Sequence, residues 1–251
     1  MSKFNVIILA GGEKGPLYDP TGYKQKALIP IHEKPMVSRV IDVFSKCEQV
    51  DNIVVVGSSD LDSLDAMKKV RKRIFTGFNL VQNILHAITY VKHRLYKSAR
   101  KHNGYVISFC DAVFLTPEIV QDTLRRIEES HGDLVLHYVE KQAFVDEKLP
   151  ASRTYIPIAG KEYTGSTIYY VKRFSSLLAA TPKLAKLRKV RKSPEKLLAS
   201  IGCIGKDLPE IEESLSEELG IDVKICVSPH ARLGMDVDKP SDLELAIELL
   251  D

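Results

Sequence analysis

The chemistry this chain can do is carried by a glycine pair, three nearby lysines and a few carboxylates far apart in sequence. Gly11-Gly12 follows the apolar run Phe4–Ala10, and Lys14, Lys24 and Lys26 come within one loop of it. Glycines open backbone angles closed to other residues and remove the Cβ atoms, so main-chain N–H groups can approach a phosphate closely. The same pair also reads as an ordinary turn, which any strand of an α/β protein needs. Asp111 follows a second apolar run, Tyr105–Cys110, which puts it at the C-terminal edge of a strand, where α/β proteins bind their ligands. Asp236 and Asp238 stand near the end of the chain. Acids this remote meet only if both segments finish on the same side of one sheet. The seven His form no Ser-His-Asp or Cys-His set, and Cys47, Cys110, Cys203 and Cys226 show no C-x-x-C spacing, so neither zinc nor a disulfide framework is indicated.

The elements that must position these groups follow from apolar periodicity. Phe4–Ala10 is rich in β-branched residues and almost continuously apolar, which predicts a strand buried on both faces at the centre of a sheet. Pro35–Cys47 carries Met36, Val40, Val43 and Phe44 at helical spacing, and Asn52–Gly57 is the next strand, completing a βαβ unit that favours parallel pairing. Asn79–Lys97 predicts a long amphipathic helix, and Thr116-Pro117-Glu118 opens another by its N-cap signature. Strands are expected at Asp133–Glu140, Thr167–Val171 and Ile221–Val227. The stretch between 145 and 165 is polar and turn-rich, and Phe174–Leu219 is helical, with stops at Gly202 and Gly220. Leu243, Ile247 and Leu250 mark a last helix. The fold class expected is α/β: a single-domain, Rossmann-like three-layer sandwich with a mostly parallel mixed sheet, in which residues 145–220 form an insert-like region.

The 251 residues suffice for a substantial core, and 44% apolar with 27% charged residues is ordinary for a globular protein. No apolar run approaches the length needed to span a bilayer, and no signal peptide precedes the first strand, so the expected location is the cytoplasm without a membrane partner. A formal charge of +3 is too small to imply nucleic acid. The basic block Lys183–Lys192 lacks the interleaved aromatics of an RNA-binding surface and reads as a solvated helical face, attraction of an anionic substrate being the minor alternative.

Leu9-Ala10-Gly11-Gly12, a polar loop, then Lys26-Ala27-Leu28-Ile29-Pro30 and Lys34-Pro35-Met36 resemble the opening of MobA-like and sugar-phosphate nucleotidyltransferases. Gly77–Ile84, the segment from Asp111 to Glu118, and the run Gly234–Leu243 are similar to later stretches of the same families, so the resemblance spans most of the chain. It implies a GT-A-type fold and transfer of a nucleoside monophosphate from a nucleoside triphosphate to a small phosphorylated acceptor, with release of pyrophosphate and with Mg²⁺ as cofactor. The enzyme would be a monomer or homodimer. Nucleotide contacts are implied for Leu9, Ala10, Gly11, Gly12, Lys14, Lys26, Gly77 and Asn83, and catalytic roles for Lys26 and Asp111. Asp111 and Asp236 are the implied metal ligands, and Arg153, Thr164 and Gly165 the acceptor contacts. Asn79 and Asn83 also read as residues chosen to cap a helix, and Asp238 reads equally as the N-cap of the last helix or as a metal ligand. Pro16 stands where the family usually places Arg, and Lys14 where Gly or Ser is common; a lost Arg removes a bidentate phosphate contact that Lys does not reproduce. Either Lys14 or Lys24 substitutes for that Arg, or the activity has shifted or lapsed, leaving a nucleotide-binding protein; a GT-A glycosyltransferase of the same architecture, using a nucleotide sugar, is the other alternative. A dinucleotide-dependent oxidoreductase is disfavoured by the missing G-x-G-x-x-G after the first strand.

Overall fold

The computed structural model describes residues 3–12, 15–77, 79–95, 102–190 and 193–250. In chain order the elements are β1 (Lys3–Leu9), α1 (Tyr18–Thr21), β2 (Pro30–Ile31), β3 (Lys34–Pro35), α2 (Met36–Ser45), β4 (Val50–Val56), β5 (Lys72–Ile74), α3 (Leu80–Tyr90) and β6 (His102–Phe109). They continue with α4 (Pro117–Ser130), β7 (Leu134–Glu140), α5 (Lys141–Asp146), β8 (Ile156–Ile158) and β9 (Lys161–Val171). The last are α6 (Phe174–Val190), α7 (Pro194–Ser200), α8 (Leu208–Leu219), β10 (Val223–Ser228) and α9 (Pro240–Leu249). The class is α/β, as the alternation of strand and helix patterns predicts, and most strand pairs are parallel. Among the described residues no helix is long and apolar enough to cross a membrane.

By their contacts the residues fall into two compact units, Met1–Leu124 with Met235–Asp251, and Arg125–Gly234. In the first unit the strand order is β6-β1-β4-β5, every pair parallel. β1 is flanked on both sides, and Phe4, Val6, Ile7 and Ile8 are fully buried, as a continuously apolar strand requires. α2 packs on β1 and β4 and buries Met36, Val37, Val40, Ile41 and Phe44. Each such side chain removed from water contributes about 1.5–3 kcal/mol, which holds the strand ends in a fixed frame. In the second unit β7 pairs parallel with β10 and antiparallel with β9, and β8 adds to β9 as a hairpin.

Three stretches add to, or depart from, what the sequence patterns predict. The charged stretch after residue 60 forms two 3-10 turns and then the short strand β5, an edge strand whose Lys72 and Arg73 protect it against further pairing. The turn-rich stretch at 145–165 contains α5 and the β8–β9 hairpin. The hairpin is closed at Ala159-Gly160, where both residues have positive φ as a tight two-residue turn demands. The helix expected over Asn79–Lys97 runs as α3 to Tyr90 and continues as a π turn over Val91–Leu95; residues 96 and 97 lie outside the described residues. Helix stops agree with the sequence: Gly220 caps α8 with φ of 70°, and Gly202 follows α7 with φ of 63°.

Candidate active site

Three acids and one lysine of the first unit come together although they span more than two hundred positions. Lys26 opens a 3-10 turn, Lys26–Leu28, pinned by the buried Ala27 and Ile29. Asp111 follows β6, whose extension Cys110 still bonds to Leu9 of β1. The C-terminal acids reach the same place because the Val237 N–H donates to the Asp111 carbonyl at 3.2 Å. Met235 and Val237 are fully buried, whereas Asp236 is half-buried and Asp238 exposed. Carboxylate oxygens of Asp111, Asp236 and Asp238 lie within 4.8 Å of one another, the one such cluster among the described residues.

Lys26 Nζ donates to Asp111 Oδ2 and to Asp238 Oδ1, each at 2.5 Å. Burial works against the charge of Lys26, but Asp111 and then Asp238 outweigh it and hold its pKa above the ordinary lysine value, so the ammonium stays charged. Of the two arms, Asp111 is 15% exposed and Asp238 69%, so the Asp111 arm is the less screened and the stronger. Asp238 does not cap the last helix. The carboxylate of Asp242 accepts the N–H groups of Asp238 and Lys239, at 3.0 and 3.1 Å, and so caps α9; the Asp238 side chain goes to Lys26 instead. Burial, followed by the neighbouring charge of Asp111, pushes the Cys110 thiol well above its usual range, which removes it as a nucleophile.

The glycine corner divides into a filled half and an open half. A Cβ on Gly11 would lie 2.5 Å from the Thr76 side chain, so Gly11 is required by the close approach of Thr76. A Cβ on Gly12 would meet nothing within 4 Å, and Gly12 lines a cavity of ≈ 180 Å³ together with Tyr18, Tyr23, Lys24, Lys26 and Asp238. Leu9 and Ala10 are buried, and the Ala10 N–H donates to Val56 of β4. The Gly77 N–H donates to Asn83 Oδ1 at 2.6 Å, so Asn83, on the buried side of α3, fixes the turn that precedes the helix. Asn79 caps α3 by accepting from the Gln82 N–H. Lys14 lies outside the described residues. Thr76, Tyr18 and Tyr23 are additions that the sequence did not single out, because nothing in their local spacing marks them.

Oxygen donors so grouped suit a divalent cation. In an octahedral Mg²⁺ shell, ligands at about 2.1 Å stand about 3 Å apart when adjacent and about 4.2 Å when opposite, close to the spread of this trio.

The expected acceptor residues belong to the second unit. Arg153 lies in the loop before β8 with its guanidinium 6.0 Å over the Phe144 ring. Thr164 is buried in β9 opposite Val139, its methyl packed with Phe144 around Gly234; Gly165 is exposed and pairs with Tyr138. In the basic block, Lys183 donates to the Glu218 carbonyl; residues 191 and 192 lie outside the described residues.

The family model for the MobA-like NTP transferase domain matches residues 6–198. No curated protein sequence matches the chain. Among solved structures, a hypothetical transferase from Thermus thermophilus is 24% identical, with a TM-score of 0.77 over 96% of this chain and 99% of that one. CMP:2-keto-3-deoxy-manno-octonic acid synthetase complexed with CTP is 16% identical, with a TM-score of 0.61 over 99% and 98% of the two chains. A 4-diphosphocytidyl-2C-methyl-D-erythritol synthase is 15% identical, with a TM-score of 0.60 over the full length of both. At these identities the structural likeness speaks for the fold.

Proposed function

Because the chain belongs to the MobA-like NTP transferase family, we propose that it transfers a nucleoside monophosphate from a nucleoside triphosphate to a small phosphorylated acceptor and releases pyrophosphate. The observation that carries this reading is the convergence of Lys26, Asp111, Asp236 and Asp238 beside the open cavity at Gly12. An acceptor phosphate oxygen attacks the α-phosphorus; the new P–O bond forms as the bond to the β-phosphate bridge breaks, and pyrophosphate leaves with the electron pair. The nucleophile is already an anion, so no general base is required. Lys26 and Lys24 bind and offset phosphate charge, and the backbone at Gly12 is free to approach it. Asp111, Asp236 and Asp238 would hold Mg²⁺, which when bound neutralises charge on the polyphosphate. In this reading the whole chain acts as one nucleotidyltransferase domain, and Arg153, Thr164 and Gly165 of the 145–220 region contact the acceptor.

The test is pyrophosphate release from each of ATP, GTP, CTP and UTP, with Mg²⁺, against a panel of sugar and polyol phosphates. Two neighbours carry cytidine nucleotides in their names, which makes CTP the first to try. The expected result is release from one triphosphate that depends on one acceptor class and on Mg²⁺. Turnover of a nucleotide sugar without pyrophosphate would replace this reading by glycosyl transfer. Triphosphate binding with no release across the panel would leave a binding protein, the outcome that Pro16 in place of the family Arg favours.

A further inference from the structure

Lys26 occupies a place that a catalytic lysine alone does not explain. It is bonded to two of the three carboxylates that would ligate a cation, and it faces the cavity in which a polyphosphate would lie. An ammonium between Asp111 and Asp238 uses one oxygen of each and sets a positive charge against an incoming divalent ion. Its two arms are unequal: Asp238 is solvent-exposed and costs little to release, whereas Asp111 is half-buried. The lysine rises from a pinned 3-10 turn on a flexible four-carbon stem, so its head can be redirected while its backbone stays fixed.

We propose that Lys26 is the resident counter-cation of the carboxylate trio: it competes with a divalent ion for Asp111 and Asp238 until a polyphosphate draws it into the cavity. Metal alone then binds weakly, and metal with triphosphate binds well, because the anion removes the competitor and adds oxygen ligands. This device deepens the proposed function and rests on its assignment of the trio as a cation site.

The experiment is a titration of the full chain with Mn²⁺ alone, free ion being read by electron paramagnetic resonance. It compares wild type, Lys26→Gln, Lys26→Arg and Asp236→Asn. Removing the charge of Lys26 is expected to tighten Mn²⁺ binding at least about tenfold, Coulomb repulsion at such separations being worth more than that factor. Lys26→Arg should stay near wild type, and Asp236→Asn should weaken binding. Lys26→Met, which keeps the apolar stem, gives a second neutral variant should the Gln protein fold poorly. Equal or weaker binding by the neutral variants, with Asp236→Asn still weakening it, would overturn the competition and leave the cation site standing. No Mn²⁺ binding by any variant at millimolar concentration would overturn the cation site and the competition together. Neither result depends on turnover, so absence of transferase activity in the wild-type protein, with the tightening intact, would count against the proposed function alone.

Discussion

In the first unit of this chain the strand ends gather charge: Lys26, Asp111, Asp236 and Asp238 meet after β1, β6 and the segment before α9. In the second unit the cleft between its helices and strands gathers none. Its ≈ 230 Å³ are lined by aliphatic side chains of α6, α7 and α8 and of the strands, with only the Tyr138 and Tyr169 rings bringing polar atoms. Convergent charge is expensive to assemble, because each group loses water and must recover it from a partner. In the first unit that cost falls at the proposed polyphosphate site; the apolar cleft of the second unit carries no such cost.

The sharpest way to break this contrast is to remove one acid. Asp111→Asn should lower triphosphate-dependent pyrophosphate release by about 10³-fold, the scale on which single charge-stabilising groups act. Its melting temperature should stay within a few degrees of wild type; steady-state kinetics beside a thermal melt check both parts. The converse change lies in the second unit. Phe144 is fully buried, stacked edge-on against Tyr155 and packed at Gly234. Phe144→Ala should cost about 3–5 kcal/mol of stability in denaturant titration. Below the melting transition, triphosphate binding at Lys26 should persist.

Charges of the first unit that do not converge on the site should matter far less. Burial pushes the Asp42 carboxyl up, but Lys34 and Lys69 outweigh it and hold it below its ordinary value. Such a carboxyl stabilises the fold fully above the usual carboxylate pKa, and that contribution disappears as pH falls through its depressed folded value. Asp42→Asn should therefore lose about 1 kcal/mol or less at pH 7, since both lysines are partly exposed, and the loss should shrink as pH falls through the depressed folded value. The smallest effect is expected at the β2–β3 turn, where His32 and Glu33 adopt φ of 46° and 66°. Glu33→Gly relieves one left-handed non-glycine residue and should raise stability by about 0.5 kcal/mol, measurable as a shift in denaturant midpoint.

Much of this was legible in the chain itself. The buried centrality of β1, the helical face of α2, the Thr116-Pro117 start of α4 and the Gly220 stop of α8 follow from apolar period and capping chemistry within windows of a few residues. The candidacy of Lys26, Asp111 and Asp236 rests instead on the resemblance to nucleotidyltransferases. Short-range signals were weaker for β5 and for the β8–β9 hairpin, because an edge strand and a polar hairpin carry no continuous apolar run.

What the tertiary structure alone decided is which of these groups touch. Whether Asp238 caps a helix or meets Lys26 depends on Asp242 taking the cap and on the Val237–Asp111 backbone bond. That Gly11 yields to Thr76 while Gly12 stays open depends on where β5 delivers the following turn. Residue type and local period dictate what a side chain can do and which way its own element points it. The meeting of residues 26, 111 and 238 is set by strand register and by packing between segments remote in sequence, and no local pattern encodes that.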